Sequence, residues 1–498
     1  MLLTGTSRKF NRLLRVVRKS NIAWFSSSLE MKMGSEIERI VRIINDHPFP
    51  AQPLHPTLHS QIPQSALSTP LVEKILGNLF GAHSNGLKAY ELFKYCLKSN
   101  LYVPSSGAFE QTLHILTRMR YFDKAWELIY RIERTHPSLL TLKSMSIMLS
   151  RIAKFQSYEE TLEAFEKMQK DIFSWKKFGT NEFNVLLRAF CTQRQMKEAR
   201  SVFHKMHSEF PPDTKTMNIL LMGFKESGDI TSVELFYHEM VRRGFKPNSV
   251  TYSVRIDAFC KKRHFGDALR LLEQMEREGC PPTLETITTL IHGAGLCRNI
   301  TKAKDLFDEI TQRNLKADTG AYNALLSSLI RSKDLISAVK LMDEMEKENV
   351  EHDNVTYHNM FFGLMRSNRV DGGVYALYTK MIEKNFVPKT RTVVMLMKFF
   401  CENRKVDLGL DLWDYLVRKG NCPHSHGLDL LVTGLCACGR VEESFFCCRQ
   451  MLERGRLVSE RVYLMLERFL LQMGELGKLE ELKDLINKLK LLLPPSKG

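Results

Sequence analysis

Apolar residues recur every three or four positions in short runs, and a short polar turn separates each run from the next. Within residues 249–283 this spacing predicts a first helix from about Thr251 to Lys262 and a second from about Phe265 to Arg277. The segment 279–282, Gly-Cys-Pro-Pro, ends the second helix, because proline cannot continue a helix and glycine tolerates the exit conformation. The pattern therefore indicates a helical hairpin.

The hairpin is repeated along the chain. Lys246-Pro247-Asn248 precedes Val-Thr-Tyr, and 35 residues later Pro281-Pro282-Thr283 precedes Glu-Thr-Ile. Eight successive units of 34 to 36 residues follow this spacing: 180–213, 214–248, 249–283, 284–318, 319–353, 354–389, 390–424 and 425–459. Looser copies at 70–105, 106–141, 142–179 and 460–494 bring the total to about twelve over 70–494. The place of a residue is its position counted from the first residue of its unit.

Small residues mark where the helices should meet. Alanine or glycine occupies the tenth place at Ala189, Gly223, Ala258, Gly293, Gly363 and Gly434, and alanine the twentieth at Ala199, Ala268, Ala303 and Ala338. One hairpin cannot bury its own apolar face, so neighbouring units must stack. We expect an all-α fold, a right-handed α-solenoid of tandem helix-turn-helix repeats of about 35 residues.

These features resemble the pentatricopeptide repeat family, in its plain P class. The unit is 35 rather than 34 residues long, and the first helix reads like Val-Thr-Tyr-Asn, as at Phe183-Asn184, Tyr252-Ser253 and Tyr322-Asn323. The exit loop reads Gly-Phe-Lys-Pro-Asn at 244–248. The resemblance covers most of the chain, about 70 to 494.

The resemblance implies modular binding of single-stranded RNA, one base per repeat, read by the fifth and the last residue of each unit. The base-reading pairs carried over in this way are Asn184 with Asp213, Asn218 with Asn248, Ser253 with Thr283, Thr288 with Asp318, and Asn323 with Asp353. The implied preferences are uracil for the first pair, a pyrimidine with cytosine favoured for the second, guanine for the fourth and uracil for the fifth. The third pair, Ser253 with Thr283, is off-pattern, and its hydroxyl suggests a purine. The pairs His358/Lys389, Val394/His424 and Asp429/Ser459 match no familiar combination.

Other places of the repeat suggest further contacts. The resemblance implies base stacking by an apolar second-place residue, which Val250 and Val355 provide, whereas other units carry Lys215, Glu285 and Gly320. Basic residues at the thirteenth place could neutralise phosphates, namely Lys261, Arg331 and Arg366. Alternatively, these Lys and Arg side chains are ordinary solvated helix residues, and an Asn or Thr near a helix start is a local cap.

Charge agrees with an anionic partner. Lys and Arg number 72 against 56 Asp and Glu in 498 residues, a formal net charge of +16. Apolar stretches stay far below the roughly 20 residues that a membrane span requires, so we expect no membrane partner.

The amino terminus is typical of an organelle transit peptide. Residues 1–29 carry six basic and no acidic residues, and Phe10, Leu13, Leu14 and Val17 share one helical face. We expect a mitochondrial address, with the chloroplast as the alternative, and cleavage near Phe25; a basic tail or nucleic-acid arm is the other interpretation. Residues 30–69 read as a short helix and a Pro-rich linker with little packed structure.

No pattern of catalytic residues is present. His207-Ser208-Glu209 lacks the downstream Cys-x-x-Cys that a zinc deaminase needs, and Cys191, Cys260, Cys401 and Cys436 share the twelfth place, which indicates core packing. We therefore expect no enzyme, no metal and no cofactor, but a monomeric RNA-binding protein of organelle transcripts that works with RNA-processing or ribosomal proteins. The alternative is a helical-repeat scaffold or mitoribosome-associated protein that binds protein partners.

Overall fold

A computed structural model describes residues 34–49, 52–99, 101–367, 371–421 and 424–492. The regular structure of these residues is helical, with one isolated β-bridge between Phe49 and Arg454. The all-α repeat fold predicted from the sequence is therefore confirmed. The predicted transit peptide, residues 1–29, lies outside the described residues.

The chain divides into two compact units. One, here called the central unit, is Ala125–Gly409; the other, the terminal unit, combines the described residues before Ala125 with those from Leu410 onward. In chain order the helices up to the middle of the sequence are α1 (34–46), α2 (Leu54–Gln61), α3 (Thr69–Gly81), α4 (Gly86–Cys96), α5 (Ser106–Arg118), α6 (Phe122–Thr135), α7 (Leu142–Phe155), α8 (Tyr158–Lys167), α9 (Thr180–Thr192), α10 (Met196–Met206), α11 (Thr214–Ser227), α12 (Ile230–Arg242), α13 (Ser249–Lys261) and α14 (Phe265–Arg277). They continue as α15 (Leu284–Leu296), α16 (Ile300–Gln312), α17 (Thr319–Arg331), α18 (Leu335–Lys347), α19 (Asn354–Met365), α20 (Asp371–Glu383), α21 (Thr390–Glu402), α22 (Val406–Arg418), α23 (Ser425–Ala437), α24 (Val441–Glu453), α25 (Glu460–Gln472) and α26 (Leu476–Leu492). Short 3₁₀ segments lie at Gln64–Ala66 and Pro137–Leu139, and a π-helical turn at Met168–Ile172.

The hairpin predicted within 249–283 is confirmed. Its helices run from Ser249 to Lys261 and from Phe265 to Arg277. Arg263, between them, has φ = 63°, and Gly279, after the second, has φ = 72°, so both turns reverse through the left-handed region.

In the central unit the first helices of successive hairpins pack side by side, from α9 through α11, α13, α15, α17 and α19 to α21. The contact joins the twelfth place of one repeat to the tenth of the next. A Cβ built on Gly293 would lie 2.8 Å from Cys260 Cβ, and one on Gly223 would lie 2.7 Å from Cys191 Sγ. At Gly295 and Ser328 the pair is reversed, with the glycine at the twelfth place. One member of each of these pairs must be glycine for the helices to approach this closely.

Within the terminal unit, the segment after residue 33 packs against repeats from the other end of the chain. The Nδ2 of Asn45 donates to the carbonyl of Gly420 at 2.5 Å, and that of Asn85 to the carbonyl of Gly455 at 3.0 Å. The buried ammonium of Lys88 donates to the carbonyls of Asn45 and His47, both at 2.9 Å. Backbone groups of sequence-distant segments are thereby satisfied by buried side chains.

The expectation of little packed structure in 30–69 is wrong for the described residues. Ile40 and Ile44 of α1 are fully buried, as is Leu58 of α2. Two of the prolines do not prevent this packing: Pro53 directly precedes α2, and Pro56 lies in the first turn of α2, where the backbone N–H has no partner within the helix.

A search of the described helices finds none long and apolar enough to cross a membrane.

Candidate nucleic-acid interface

The last residue of each central repeat begins the next helix as its N-cap. A side-chain oxygen of Asp213, Asn248 and Asp353 accepts from the backbone N–H three residues later, at 2.7, 3.1 and 2.9 Å. Thr283 and Asp318 cap their helices in the same way. Such a cap stabilises a helix by about 1 kcal/mol. Part of the polar recurrence along the sequence therefore has a structural cause.

Three of the predicted base-reading pairs are in direct contact. The Nδ2 atoms of Asn184, Asn218 and Asn323 donate to the Oδ1 atoms of their last-place partners at 3.4, 3.2 and 2.9 Å. These asparagines are almost completely buried, with 2%, 7% and 7% of their surface exposed. The last-place side chain is the more accessible member of each pair.

In these three pairs, one atom of the last-place side chain has no partner among the described residues. The hydrogen bonds that Asp213, Asn248 and Asp353 accept in the described structure all go to Oδ1. The second atom is a carboxylate oxygen in the two aspartates and an amide nitrogen in Asn248. Capping therefore uses only half of the hydrogen-bonding capacity of these groups.

The other two predicted pairs are arranged differently. Ser253 and Thr283 are joined through the hydroxyl of Thr286, at 3.0 Å and 3.1 Å respectively. Between Thr288 and Asp318 the described structure contains no hydrogen bond, and Asp318 only caps α17 through the N–H of Ala321 at 2.9 Å.

A third polar residue at this site, the third-place threonine of the following repeat, was not predicted from the sequence. The hydroxyl of Thr251 donates to Oδ1 of Asn218, and that of Thr356 to Oδ1 of Asn323, both at 2.8 Å. Both threonines are fully buried. Their recurrence in the Val-Thr-Tyr segment was the available signal.

The hydrogen bonds change the acidity of two last-place aspartates. Burial raises the pKa of Asp213, but hydrogen bonds from the side chain and backbone of Thr216 and from Asn184 outweigh it, so that the pKa is lowered. Burial likewise raises the pKa of Asp353, and the backbone of Thr356 and the amide of Asn323 lower it further than burial raises it. Both groups are therefore held as carboxylates that only accept hydrogen bonds.

The predicted stacking residues lie on the surface. Val250 is 55% exposed and Val355 50% exposed, and each lies two residues after the cap of its helix. Lys215, Glu285 and Gly320 are exposed at the same place of their repeats. The two valines have solvent-exposed apolar surface next to the polar pairs, which a planar base could cover.

The predicted phosphate-binding residues differ in how far they are neutralised. Lys261 forms ion pairs with Asp257 at 3.0 Å and with Glu226 at 3.5 Å. Arg331 lies 3.4 Å from Nε2 of His292, and Arg366 lies over the ring of Phe362 at 5.2 Å from its centroid. Among the described residues, the two arginines thus have fewer acidic partners than Lys261.

One pair that matched no familiar combination adopts the same geometry with reversed roles. The hydroxyl of Ser459 donates to Oδ1 of Asp429 at 2.8 Å and accepts from the N–H of Val462 at 3.3 Å. His358 instead contacts Thr392 at 3.2 Å, and His424 accepts from the backbone of His426.

Three of the four cysteines at the twelfth place, Cys191, Cys260 and Cys436, are buried in the helix packing. Burial raises the pKa of the Cys191 and Cys260 thiols to about 12, so both are inert, protonated core groups. Throughout the described ranges, no three His, Cys, Asp or Glu side chains are grouped so as to hold a metal ion.

Comparisons with known proteins identify the family. A model described as the PPR repeat family matches residues 182–224, 212–261, 255–298 and 317–366, and one described as the PPR repeat matches 285–315 and 429–456. Pentatricopeptide repeat-containing protein At3g61360 of Arabidopsis thaliana is 58% identical over 496 residues, which cover 99% of each chain. The chain belongs to the pentatricopeptide repeat family.

Further relatives are named for the same repeat. The putative pentatricopeptide repeat-containing protein At1g02420 of Arabidopsis thaliana is 46% identical over 92% of this chain and 90% of its own length. Several more distant Arabidopsis members of the family are named as mitochondrial. Among solved structures, the maize pentatricopeptide repeat protein PPR10 aligns over 93% of this chain and 84% of its own, with 16% identity and a TM-score of 0.32.

Proposed function

We propose that this pentatricopeptide repeat protein binds single-stranded RNA and reads its sequence with the fifth and last residues of the repeats between 180 and 353. The observation that carries the proposal concerns the second polar side-chain atom of Asp213, Asn248 and Asp353, here called the outer atom: Oδ2 in the aspartates and Nδ2 in Asn248. It forms no hydrogen bond among the described residues, and each of the three residues is held beside a buried asparagine. A fixed donor or acceptor is what recognition of a base edge requires, and at Asn248 and Asp353 it lies two residues before an exposed valine, Val250 or Val355.

The chemistry of the outer atom supports the preferences of the two kinds of pyrimidine reader. Uracil has an N–H at its N3 position, which the free carboxylate oxygen of Asp213 or Asp353 can accept. Cytosine has an acceptor at N3, which suits the free Nδ2 of Asn248. Uracil at the first and fifth bases and cytosine at the second follow from this complementarity.

Guanine is the expected base for Thr288 with Asp318. The carboxylate accepts from the N1–H of guanine, and a threonine is shorter than asparagine, which leaves room for a purine. Ser253 and Thr283 have hydroxyls that already bond to Thr286, so we expect only a weak purine preference there. The proposed site is 5′-U-(C/U)-purine-G-U-3′.

The reversed pair is proposed as a further base reader. The hydroxyl of Ser459 donates its hydrogen bond to the carboxylate of Asp429, so the polar atoms that this pair can offer to a base are acceptors. Guanine has adjacent donors at N1 and at its exocyclic amino group, and is the base best matched to a carboxylate.

The protein is proposed to act without catalysis, in processing, splicing, stability or translation of organelle transcripts. Cys191, Cys260 and Cys436 are buried and His424 caps α23, which gives these residues structural roles, and the basic, acid-free segment 1–29 supports a mitochondrial address. Blocking a nuclease, opening a hairpin or recruiting other proteins requires only occupancy of the transcript.

Selection from a random single-stranded RNA pool at moderate salt tests the proposal. We expect enrichment of the five-base site, and a change of its last base from uracil to cytosine in the Asp353→Asn variant. Asp343→Asn removes an equal charge from an exposed position of α18 and is the matched control, with no expected change. Binding without sequence enrichment, and lost at modest salt, would refute base reading and favour the protein-binding scaffold.

A further inference from the structure

The fifth-place asparagine cannot fix its own amide. The χ2 torsion of asparagine is broad, so the side chain has little intrinsic preference for where its oxygen and nitrogen point. In the pair with Asp353, the carboxylate only accepts, and the amide nitrogen of Asn323 must therefore face it. The amide oxygen of Asn323 is then turned into the protein, where it requires a donor.

Thr356 supplies that donor from the next repeat. Its fully buried hydroxyl lies 2.8 Å from Oδ1 of Asn323 and 3.0 Å from Oδ1 of Asp353. It therefore contacts both members of the base-reading pair. Thr251 contacts Asn218 at 2.8 Å and Asn248 at 3.2 Å in the same way.

The first pair of the series lacks this contact and serves as a natural comparison. The hydroxyl of Thr216 donates to Oδ1 of Asp213 at 2.8 Å, and Oδ1 of Asn184 is buried with no hydrogen-bond partner in the described structure. The distance between Asn184 and Asp213 is also the longest of the three, at 3.4 Å against 3.2 and 2.9 Å. The cap is preserved at all three sites, whereas the threonine contacts the asparagine at only two of them.

We infer that the third-place threonines Thr251 and Thr356 are specificity-determining positioning residues for the base read by the preceding repeat. Each holds the asparagine amide so that its nitrogen is presented beside the outer atom of the last-place residue. A base is then matched by two atoms with fixed donor and acceptor character. This inference rests on the proposed RNA-reading function.

A consequence appears in the wild-type chain itself. Both Asn184–Asp213 and Asn323–Asp353 offer the same groups to uracil, but only the second is held by a threonine. Discrimination of uracil from cytosine should be sharper at the fifth base than at the first.

The experiment measures the ratio of Kd for RNAs that carry cytosine or uracil at one position of the five-base site, with the full chain. We expect Thr356→Val to reduce this ratio at the fifth base by about fivefold, the effect of one neutral hydrogen bond. Thr356→Ser keeps the hydroxyl and should keep the ratio. Thr216→Val is the matched control, since it loses the same helix-start contact without touching an asparagine amide, and its ratio at the first base should not change.

Stability and specificity are separated by measuring Tm of each variant. If Thr356→Val fails to fold, Thr251→Val tests the same role through the preference for cytosine at the second base. An unchanged ratio in a folded Thr356→Val or Thr251→Val variant, or an equal loss in Thr216→Val, would overturn the positioning role alone. A wild-type chain that binds RNA without discriminating the two pyrimidines would refute the proposed function as well.

Discussion

The close approach of α15 and α17 makes Gly295 sensitive to a single methyl group. A Cβ at this position would lie 2.7 Å from Ser328 Cβ and 2.9 Å from Ser328 Cα. The Cα belongs to the backbone of a packed helix, and the Ser328 side chain is itself held by hydrogen bonds to the carbonyls of Ile291 and Ala324. The helices therefore have to move apart to accommodate Gly295→Ala.

The expected magnitude follows from two opposed effects. Overpacking of this kind costs about 1–3 kcal/mol. The higher helix propensity of alanine returns up to about 1 kcal/mol. Gly266→Ala in α14 supplies the control, because a Cβ there meets nothing within 4 Å and only the propensity gain remains. The difference in free energy of unfolding between the two variants should be about 2 kcal/mol.

Urea denaturation followed by far-UV circular dichroism measures this difference, and amide hydrogen exchange should show the loss of protection within α15 and α17. Adding Ser328→Gly to Gly295→Ala should recover part of the stability, because Cys260 and Gly293 already pair a side chain at the twelfth place with a glycine at the tenth. If Gly295→Ala is as stable as Gly266→Ala, the contact between α15 and α17 does not constrain residue 295 to glycine.

Three further predictions concern acidity, charge and the terminal unit. The pKa of Asp353 is lowered in the folded state, so the carboxylate stabilises the fold above about pH 4, and this contribution is lost as the pH falls below that value. When the urea midpoint is plotted against pH, its decrease in acid should therefore be shallower for Asp353→Asn than for the wild type. Parallel curves for the two proteins would contradict this. Arg331→Ala should lower the slope of log Kd for RNA against log salt concentration by about one. Lys261→Ala should lower it by less, because Lys261 is already paired with two carboxylates. Equal slopes for the two variants would count against this difference in phosphate contact. Asn85→Ala removes both the donor to the carbonyl of Gly455 and the side-chain cap of α4, and should destabilise the terminal unit by about 1–3 kcal/mol in urea denaturation, whereas an unchanged midpoint would show that water replaces both bonds.

The local structure was predictable because the same apolar spacing and turn residues recur in successive repeats. Apolar spacing placed the second helix of the 249–283 hairpin at its observed residues, Phe265–Arg277, and the first within two residues of Ser249–Lys261. The place of Gly293 in the helix contact also follows from the sequence, since a small residue that recurs at a fixed position of stacked helices indicates a close approach of their backbones.

The polar site was only partly predictable. Residue types at the fifth and last places suggested pairs, but whether two side chains meet depends on the turn between repeats: Asn323 reaches Asp353, whereas Ser253 is linked to Thr283 only through Thr286. The packing of α1 was not predictable. Its residue Asn45 contacts Gly420, 375 residues later in the chain, and the 35-residue period relates only neighbouring repeats.

That separation has a consequence for how the protein folds. Neighbouring repeats of the central unit meet across about 35 residues, but Asn45 meets Gly420 over 375 residues and Asn85 meets Gly455 over 370. Closing the longer loop costs about 2 kcal/mol more in chain entropy than joining adjacent repeats. During synthesis the central repeats can form in order as they emerge, while the amino-terminal partners remain unsatisfied until the carboxyl-terminal repeats exist. The terminal unit should therefore be the last part of the chain to acquire protection from proteases.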